Sequence, residues 1–253
     1  MTTDEMLLER AKILKLYGLI DHWTEVYQSD WLKNLIDWEE NARSERSLQR
    51  RLRSARLEKF KSLIDFDWNW PKKCDRGAIE TLMTLEFLKD PTNIILCGPN
   101  GVGKSMIACN IAYQAVMQGH TVLFTNTANM LNDLAAQDGN SALRRRIKYY
   151  ALPFILVTDE VGYLSYSNRH ADLLFEIIAQ RYQKRSTIVT TNKPFNEWGE
   201  IFPNAACVVS IIDRLVHNSE IISIEGDSYR LKEAKEKALN RKKNRMPPNA
   251  PQQ

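Results

Sequence analysis

The chain has 253 residues, of which 43% are apolar and 26% charged, so it is long enough to bury a core and has the composition of an ordinary soluble globular protein. Its 35 Lys and Arg against 31 Asp and Glu leave a net charge of +4, too small a surplus to identify a polyanionic partner by itself. No signal peptide, membrane-length apolar run or C-x2-C cysteine spacing is present, which excludes a zinc site of that type and leads us to expect a cytoplasmic protein without a membrane partner.

Residues 1–62 are predicted to form a small all-helical domain that binds DNA or mediates oligomerisation. Leu7, Leu8, Ala11 and Leu14 make one apolar stripe at helical spacing. A second amphipathic run extends from Trp31 to Trp38. No alternating apolar pattern of the strand type interrupts these helices.

A basic helix is predicted at the end of this domain. At about 100° per residue, one side of the helix carries four arginines without interleaved acids, and the opposite side carries Leu48, Leu52 and Ala55. The four are Arg43, Arg46, Arg50 and Arg53. Such a face is either a solvated surface or a contact to the phosphate backbone of DNA; we favour DNA because an uninterrupted arginine row would release counterions from it.

Residues 63–77 have the composition of a linker with an aromatic centre, namely Phe66, Trp68 and Trp70. These rings could stack on a nucleotide base or pack between domains, and we favour packing. A helix over residues 76–88 follows, ended by Asp90 and Pro91.

A phosphate-binding loop is predicted directly after a short buried strand at residues 94–97. The loop fits Gly-x4-Gly-Lys-Ser, and an amphipathic helix follows it, which is the context that this motif requires. Its backbone N–H groups and the helix N-terminus would hold the phosphates of ATP, Lys104 would reach the β- and γ-phosphates, and the Ser105 hydroxyl would hold Mg²⁺. The nucleotide-binding residues are Gly98, Pro99, Asn100, Gly101, Val102, Gly103, Lys104 and Ser105.

Strands and helices alternate after Gly119, which predicts an α/β fold with a parallel sheet, flanking helices and ligands at the carboxyl ends of the strands. The nucleotide-binding domain is assigned to residues 78–235. Its further strands are predicted at 121–125, 153–157 and 187–190, and its further helices at 128–136 and 171–182.

Polar residues at two strand ends are the candidates for chemistry. Asp159 and Glu160 follow the strand at 153–157, where Asp159 would anchor Mg²⁺ and Glu160 would orient and deprotonate a water. Asn192 follows the strand at 187–190 and could hold that water against the γ-phosphate. Arg214 and Arg230 either form structural ion pairs or stabilise charge on the transferred phosphoryl group, and the sequence leaves both interpretations open.

The order and spacing of these motifs closely resemble the IstB family of AAA+ ATPases, the transposition helper proteins of insertion elements, whose cousins are DnaC-type helicase loaders. The likeness covers nearly the whole chain, including the basic helix. Its most specific parts are Asp-Glu-x-Gly-Tyr-Leu from Asp159, Arg181-Tyr182 and Asp213-Arg214-Leu215, and the series ends with Ser228-Tyr229-Arg230.

The resemblance implies roles for the candidate residues. Lys104 and Ser105 would be the Walker A pair, Asp159 and Glu160 the Walker B pair, and Asn192 sensor 1. Arg214 would act as an arginine finger on a neighbour's ATP, whereas Arg230 would act as sensor 2 within its own subunit.

Such relatives assemble into ATP-dependent homo-oligomers on duplex DNA, deform it, and recruit and stimulate a partner transposase. A basic run within the ATPase domain could line the inner surface of such an assembly or simply solvate a loop. The run comprises Arg144, Arg145, Arg146 and Lys148. Residues 236–253 are predicted to be a basic, disordered tail that adds DNA affinity.

Two other functions remain as alternatives. The first is a helicase loader with a replicative helicase as partner, and the second is a small-molecule kinase or a nucleotide-gated interaction module. An arginine row far before the phosphate loop favours the transposition helper, because a kinase has no use for it.

Overall fold

The computed structural model describes residues 3–57, 60–162, 166–203 and 205–245. Within it the chain divides into two compact units, Met1–Arg53 and Ser54–Gln253. Tyr163 and Leu164 of the acidic motif, and residues 246–253 of the predicted tail, lie outside the described residues.

The first unit is helical, as the sequence indicates. Its helices are α1 (Thr3–Ile13), α2 (Tyr17–Asp21), α3 (Trp23–Val26) and α4, which begins at Asp30 and runs to Ala55. The two runs predicted around residues 31–38 and 43–57 are one continuous helix, because no Gly or Pro interrupts them.

Apolar side chains of α1, of the turn directly after it and of α4 form the core of this unit, which consists of Leu7, Ala11, Leu14, Leu32 and Ile36. Arg10 fixes the two helices together through Asp37 at 2.5 Å and Glu40 at 2.6 Å. These carboxylates raise the pKa of Arg10, and Arg10 in turn lowers the pKa of Glu40.

The second unit is built on a five-stranded parallel sheet in the order β2-β3-β4-β1-β5. The strands are β1 (Asn93–Cys97), β2 (Val122–Asn126), β3 (Ile155–Val161), β4 (Ser186–Thr191) and β5 (Ser219–Ser223). The predicted parallel sheet is confirmed. The sequence analysis assigned no strand at 219–223, which pairs with β1 at the edge of the sheet.

The remaining helices flank this sheet. They are α5 (Arg76–Met83), α6 (Lys104–Met117), α7 (Thr127–Ala135), α8 (Asn140–Ala151), α9 (Asn168–Arg181), α10 (Trp198–Ile201), α11 (Ala205–Val216) and α12 (Tyr229–Arg245). Ile95, Leu156 and Val189 of neighbouring strands share one core cluster with Leu174 and Ile177 of α9.

Two further regions differ from the sequence-based expectation. The basic run at 144–148 belongs to helix α8, not to a loop. Residues 236–245, expected to begin a disordered tail, continue helix α12, because this stretch is rich in strong helix formers and carries an i,i+4 pair between Glu233 and Lys237.

Arg181 aligns the beginnings of β3 and β4. It is 1% exposed, and its guanidinium donates to the carbonyls of Ala151 at 2.9 Å and Pro153 at 2.8 Å and to the Thr187 hydroxyl at 3.0 Å. Burial lowers the pKa of Arg181 to about 9. Arg181 of the Arg181-Tyr182 motif therefore has a structural role. It fixes the beginnings of β3 and β4, and the candidate site lies at the carboxyl ends of the same two strands.

Candidate nucleotide-binding site

The phosphate loop connects β1 to α6 and is packed tightly on two sides. Gly101 has φ 82° and Gly103 has φ 105°, which are left-handed conformations that glycine adopts without strain. A Cβ atom at Gly101 would lie 2.2 Å from Ser228 Oγ, and one at Gly103 would lie 2.4 Å from Phe66 Cε2. Both glycines are therefore required by conformation and by space.

Lys104 is the first residue of α6, and its ammonium lies inside the loop. Nζ donates to the carbonyl oxygens of Gly98 and Pro99, each at 2.7 Å. The residue is 8% exposed, and this burial lowers the pKa of Lys104, although the negative charge of Asp159 opposes the shift. A bound phosphate would replace the two neutral carbonyl acceptors of Lys104 with a charged acceptor, which forms a stronger hydrogen bond with the ammonium.

Three oxygen-bearing side chains meet at the carboxyl end of β3. Asp159 Oδ1 accepts hydrogen bonds from Ser105 Oγ at 2.8 Å and from Thr190 Oγ1 at 2.5 Å. A hydroxyl and a carboxylate are hard oxygen ligands of the kind that Mg²⁺ takes beside phosphate and water. The two residues predicted to hold Mg²⁺ are thus adjacent and chemically suited to it.

Glu160 lies at a bulge where β3 shifts register against β4. Its backbone φ of 62° lies in the left-handed region, which residues other than glycine rarely adopt. Strained backbone of this type is concentrated at functional sites. The Glu160 N–H donates to Thr190 Oγ1 at 2.9 Å, and Glu160 Oε2 accepts from Asn126 Nδ2 at 2.9 Å. The Glu160 carboxylate is therefore held by β2 on one side, while its backbone is held by β4 on the other.

The sequence analysis did not identify Asn126 and Thr190 as site residues. Asn126 ends β2 beside Asp159 of β3, and its Oδ1 also accepts from the first N–H groups of α7. The rule that assigned Asn192, a polar side chain at the carboxyl end of a strand, would have found Asn126 as well.

A cleft of about 980 Å³ joins these groups. Lys104, Asp159, Glu160, Asn192 and Arg230 all line it, so the structure brings these five predicted residues together. Phe66 and Trp70 line it too, which places the aromatic segment against the nucleotide cleft within the second unit.

Arg214 is not among the described residues that line the cleft. It lies on α11, where Nη1 donates to the Ser210 carbonyl at 2.9 Å and the guanidinium stacks 4.7 Å from the ring centre of Phe175. The two arginines left open by the sequence are thus placed differently, Arg230 inside the cleft and Arg214 outside it.

The basic side chains predicted to bind DNA fall into two groups. Arg43 bonds Glu39 and the Leu14 carbonyl, each at 2.5 Å, and Arg46 lies 3.6 Å from the same glutamate. These contacts engage Arg43 in the helical unit itself. Arg50 and Arg53 are exposed on the last turns of α4.

Helix α8 shows the same division. Arg146 pairs with Asp133 and lies 4.5 Å over the ring of Tyr149, so it contributes to packing between α7 and α8. The exposed basic residues of this helix are Arg144, Arg145 and Lys148.

A family model described as "IstB-like ATP binding protein" matches residues 10–238. The chain belongs to this family. It is 35% identical over 249 residues to an IS21 insertion-sequence putative ATP-binding protein of Pseudomonas aeruginosa, an alignment that covers 96% of this chain and 94% of the relative. A putative ATP-binding protein of insertion sequence IS5376 from Geobacillus stearothermophilus is 34% identical, with 81% of this chain and 82% of that relative aligned.

Solved structures share the fold of the second unit. A DnaI structure matches with a TM-score of 0.55 at 19% identity, covering 66% of this chain and 92% of that one. AMPPCP-bound DnaA from Aquifex aeolicus matches with a TM-score of 0.52 at 19% identity, covering 70% of this chain and 56% of that one. The IstB-type chain thus has the P-loop fold of AAA+ proteins and is an ATP-binding protein. Within the described residues, no helix has the length and apolarity needed to cross a membrane.

Replacing Lys104 by Met should weaken ATP binding by at least about 100-fold, because the loop would lose its one buried cation facing the phosphates and charge-assisted bonds are the strong ones. Titration of the full chain with a fluorescent ATP analogue measures the change. Lys89→Met, at an exposed lysine paired with Glu86, is the matched control. Binding by Lys104→Met with wild-type affinity would contradict the site.

Proposed function

We propose that this IstB-type protein is an ATPase that oligomerises on duplex DNA, deforms it, and recruits and stimulates a partner transposase, with ATP hydrolysis controlling disassembly. The observation that carries the proposal is the division of the catalytic groups. Lys104, Ser105, Asp159 and Glu160 share one cleft, whereas Arg214 lies on a different part of the same unit. A site that takes its last cation from a neighbour links ATP to assembly.

Within one subunit, each group has a defined task. Lys104 would neutralise the β- and γ-phosphates, and Ser105 with Asp159 would hold Mg²⁺, which would supply further charge neutralisation there. Glu160 accepts the proton of the attacking water. Asn192 orients that water, and Arg230 binds phosphate from the same subunit.

The Asn126 contact restrains the general base. While Glu160 Oε2 accepts from Asn126 Nδ2, one carboxylate oxygen is committed and the other can bind the water. Release of Asn126 would free both carboxylate oxygens for the water and so favour hydrolysis.

Arg214 acts across the subunit boundary in this proposal. Its guanidinium lies over the Phe175 ring and donates through Nη1 to the Ser210 carbonyl, and its remaining N–H donors would meet a neighbour's γ-phosphate. Hydrolysis removes that phosphate and with it the bond between subunits.

DNA binding is assigned to the exposed arginines of α4 and supported by the exposed basic residues of α8. Arg50 and Arg53 would contact phosphates, so binding is expected to be largely independent of sequence. The transposase partner is inferred from the insertion-sequence relatives, whose names associate them with such elements. A cytoplasmic location is part of the same proposal.

The particle mass on DNA tests this function. We expect a large DNA-bound species with ATP, and dissociation to smaller species with ADP, when light scattering follows the full chain on linear duplex at fixed salt. A protein that stays monomeric and does not bind duplex DNA with either ATP or ADP would overturn the transposition-helper proposal. That result would favour a helicase loader or a nucleotide-gated adaptor.

Mixing two inactive variants tests the shared active site. Glu160→Gln and Arg214→Ala should each lower ATP turnover on DNA by about 10³-fold, within the range known for arginine fingers. A 1:1 mixture should regain activity at about one interface in four, because a neighbour then supplies the group that each variant lacks.

The doubly substituted chain, with Glu160→Gln and Arg214→Ala together, is the control for mixing. It offers neither missing group, so it should rescue neither single variant. Failure of the two single variants to rescue each other at every ratio would place Arg214 outside the catalytic site.

Reversing the charges of Arg50 and Arg53 tests the DNA contact. The Arg50→Glu, Arg53→Glu variant should bind duplex less tightly and lower the slope of log K against log salt by about 2, since each phosphate contact contributes about 0.9. The control reverses two other exposed cations, Lys33 and Lys184, and so makes the same change in net charge. Equal slopes for the two variants would assign α4 to a solvated surface.

A further inference from the structure

The segment before α5 and the loop before α12 are joined beside the phosphate loop. Trp70 Nε1 donates to the Asp227 carbonyl at 2.8 Å. Lys73 and Glu225 exchange two backbone hydrogen bonds of 3.2 and 2.9 Å, which form an isolated antiparallel bridge. The aromatic segment therefore holds the chain that leads into α12, more than 150 residues later in the sequence.

The beginning of α12 is also attached to the phosphate loop itself. The Tyr229 N–H donates to the Gly101 carbonyl at 3.0 Å. Ser228 fills the space where Gly101 has no side chain. Arg230, the next residue after Tyr229, lines the nucleotide cleft. A shift of this first turn would therefore move Arg230 relative to the phosphate loop.

Lys232 connects this first turn to the aromatic segment. Its ammonium lies 3.1 Å from Asp67 Oδ2, 4.4 Å from the ring centre of Trp70 and 5.0 Å from that of Tyr229. Its side chain is 25% exposed, and the bond to Asp67 raises the pKa of Lys232. One ammonium thus contacts an anion and two aromatic rings from two distant parts of the chain.

Asp67 is itself held in place by a turn. Its Oδ1 accepts from the Asn69 N–H at 3.2 Å, and its carbonyl accepts from the Trp70 N–H at 3.1 Å. Oδ2 is the atom directed to Lys232. The carboxylate is therefore presented to α12 from a hydrogen-bonded turn.

We propose that Asp67 and Lys232 are positioning residues, which together form a clamp that holds the first turn of α12 so that Arg230 faces the nucleotide cleft. Arg230 and Lys232 lie two residues apart in the first turn of one helix, so holding Lys232 on Asp67 and Trp70 restrains the rotation of that turn and with it the direction of Arg230. The proposal deepens the proposed function and rests on its assignment of Arg230 to the phosphates. A part-exposed ion pair adds little to global stability, which makes orientation the effect to measure.

Two substitutions remove the ion pair from opposite ends. Lys232→Met keeps the length of the side chain without its charge, and Asp67→Asn keeps an acceptor for the Asn69 N–H. Each should weaken binding of ATP to the full chain by about tenfold, a typical coupling between sites, with the nucleotide-free melting temperature unchanged. Lys232→Arg should retain wild-type affinity, and Lys235→Met, an exposed lysine of the same helix, is the control.

A double-mutant cycle with Arg230→Ala separates positioning from a purely structural effect. If the clamp acts through Arg230, Lys232→Met should cost nothing further once Arg230 is absent. Full additivity of the two losses, or wild-type affinity in Lys232→Met and Asp67→Asn, would overturn the proposal. So would wild-type affinity in Arg230→Ala.

The readout is ATP binding alone, so it does not depend on DNA, assembly or hydrolysis. If Lys232→Met causes no further loss of ATP affinity in the Arg230→Ala background, but the chain forms no complex on duplex DNA, the proposed function is refuted and the clamp is retained. A chain that assembles on DNA but shows additive losses would refute only the clamp.

Discussion

Close packing of the phosphate-loop backbone is the constraint on which the rest of the site depends. The loop has no room for side chains at Gly101 and Gly103, because Ser228 approaches from one side and Phe66 from the other. These contacts come from segments that precede and follow the entire sheet. The loop conformation is consequently a property of the folded unit, and the Gly-x4-Gly-Lys-Ser pattern alone would not maintain it. Any movement of either segment changes the shape presented to the phosphates.

The polar side chains at the strand ends stabilise charged groups that would otherwise be left without partners when no nucleotide is bound. The Lys104 ammonium is desolvated, and it is stabilised by two loop carbonyls and by the nearby charge of Asp159. Asp159 in turn accepts from Ser105 and Thr190. The buried ammonium and the half-buried carboxylate each have partners that a phosphate or a magnesium ion can replace, which prepares the site for a ligand at a low cost of reorganisation.

Local patterns predicted the parts of this site that are contiguous in sequence. The loop at 98–105 and the acids at 159 and 160 follow short buried strands, so their position at one edge of a parallel sheet could be inferred before the structure was known. Asn126 could not be paired with Glu160 in the same way, because the contact depends on the register that puts Asn126 opposite Asp159. The ion pair between Arg146 and Asp133 could not be predicted either, because Asp133 lies on another helix.

Three arginines from equally recognisable motifs show why burial, and not residue type, separates their roles. Arg181 is enclosed, and its donors are consumed by backbone carbonyls and the Thr187 hydroxyl, so it can serve only the fold. Arg230 lines the cleft and is exposed, which leaves it able to meet a nucleotide of its own subunit. Arg214 is half-buried: its guanidinium lies over the ring of Phe175, and it is not among the described residues that line the cleft. In our proposal Arg214 therefore completes the site of a second subunit, which couples ATP to assembly.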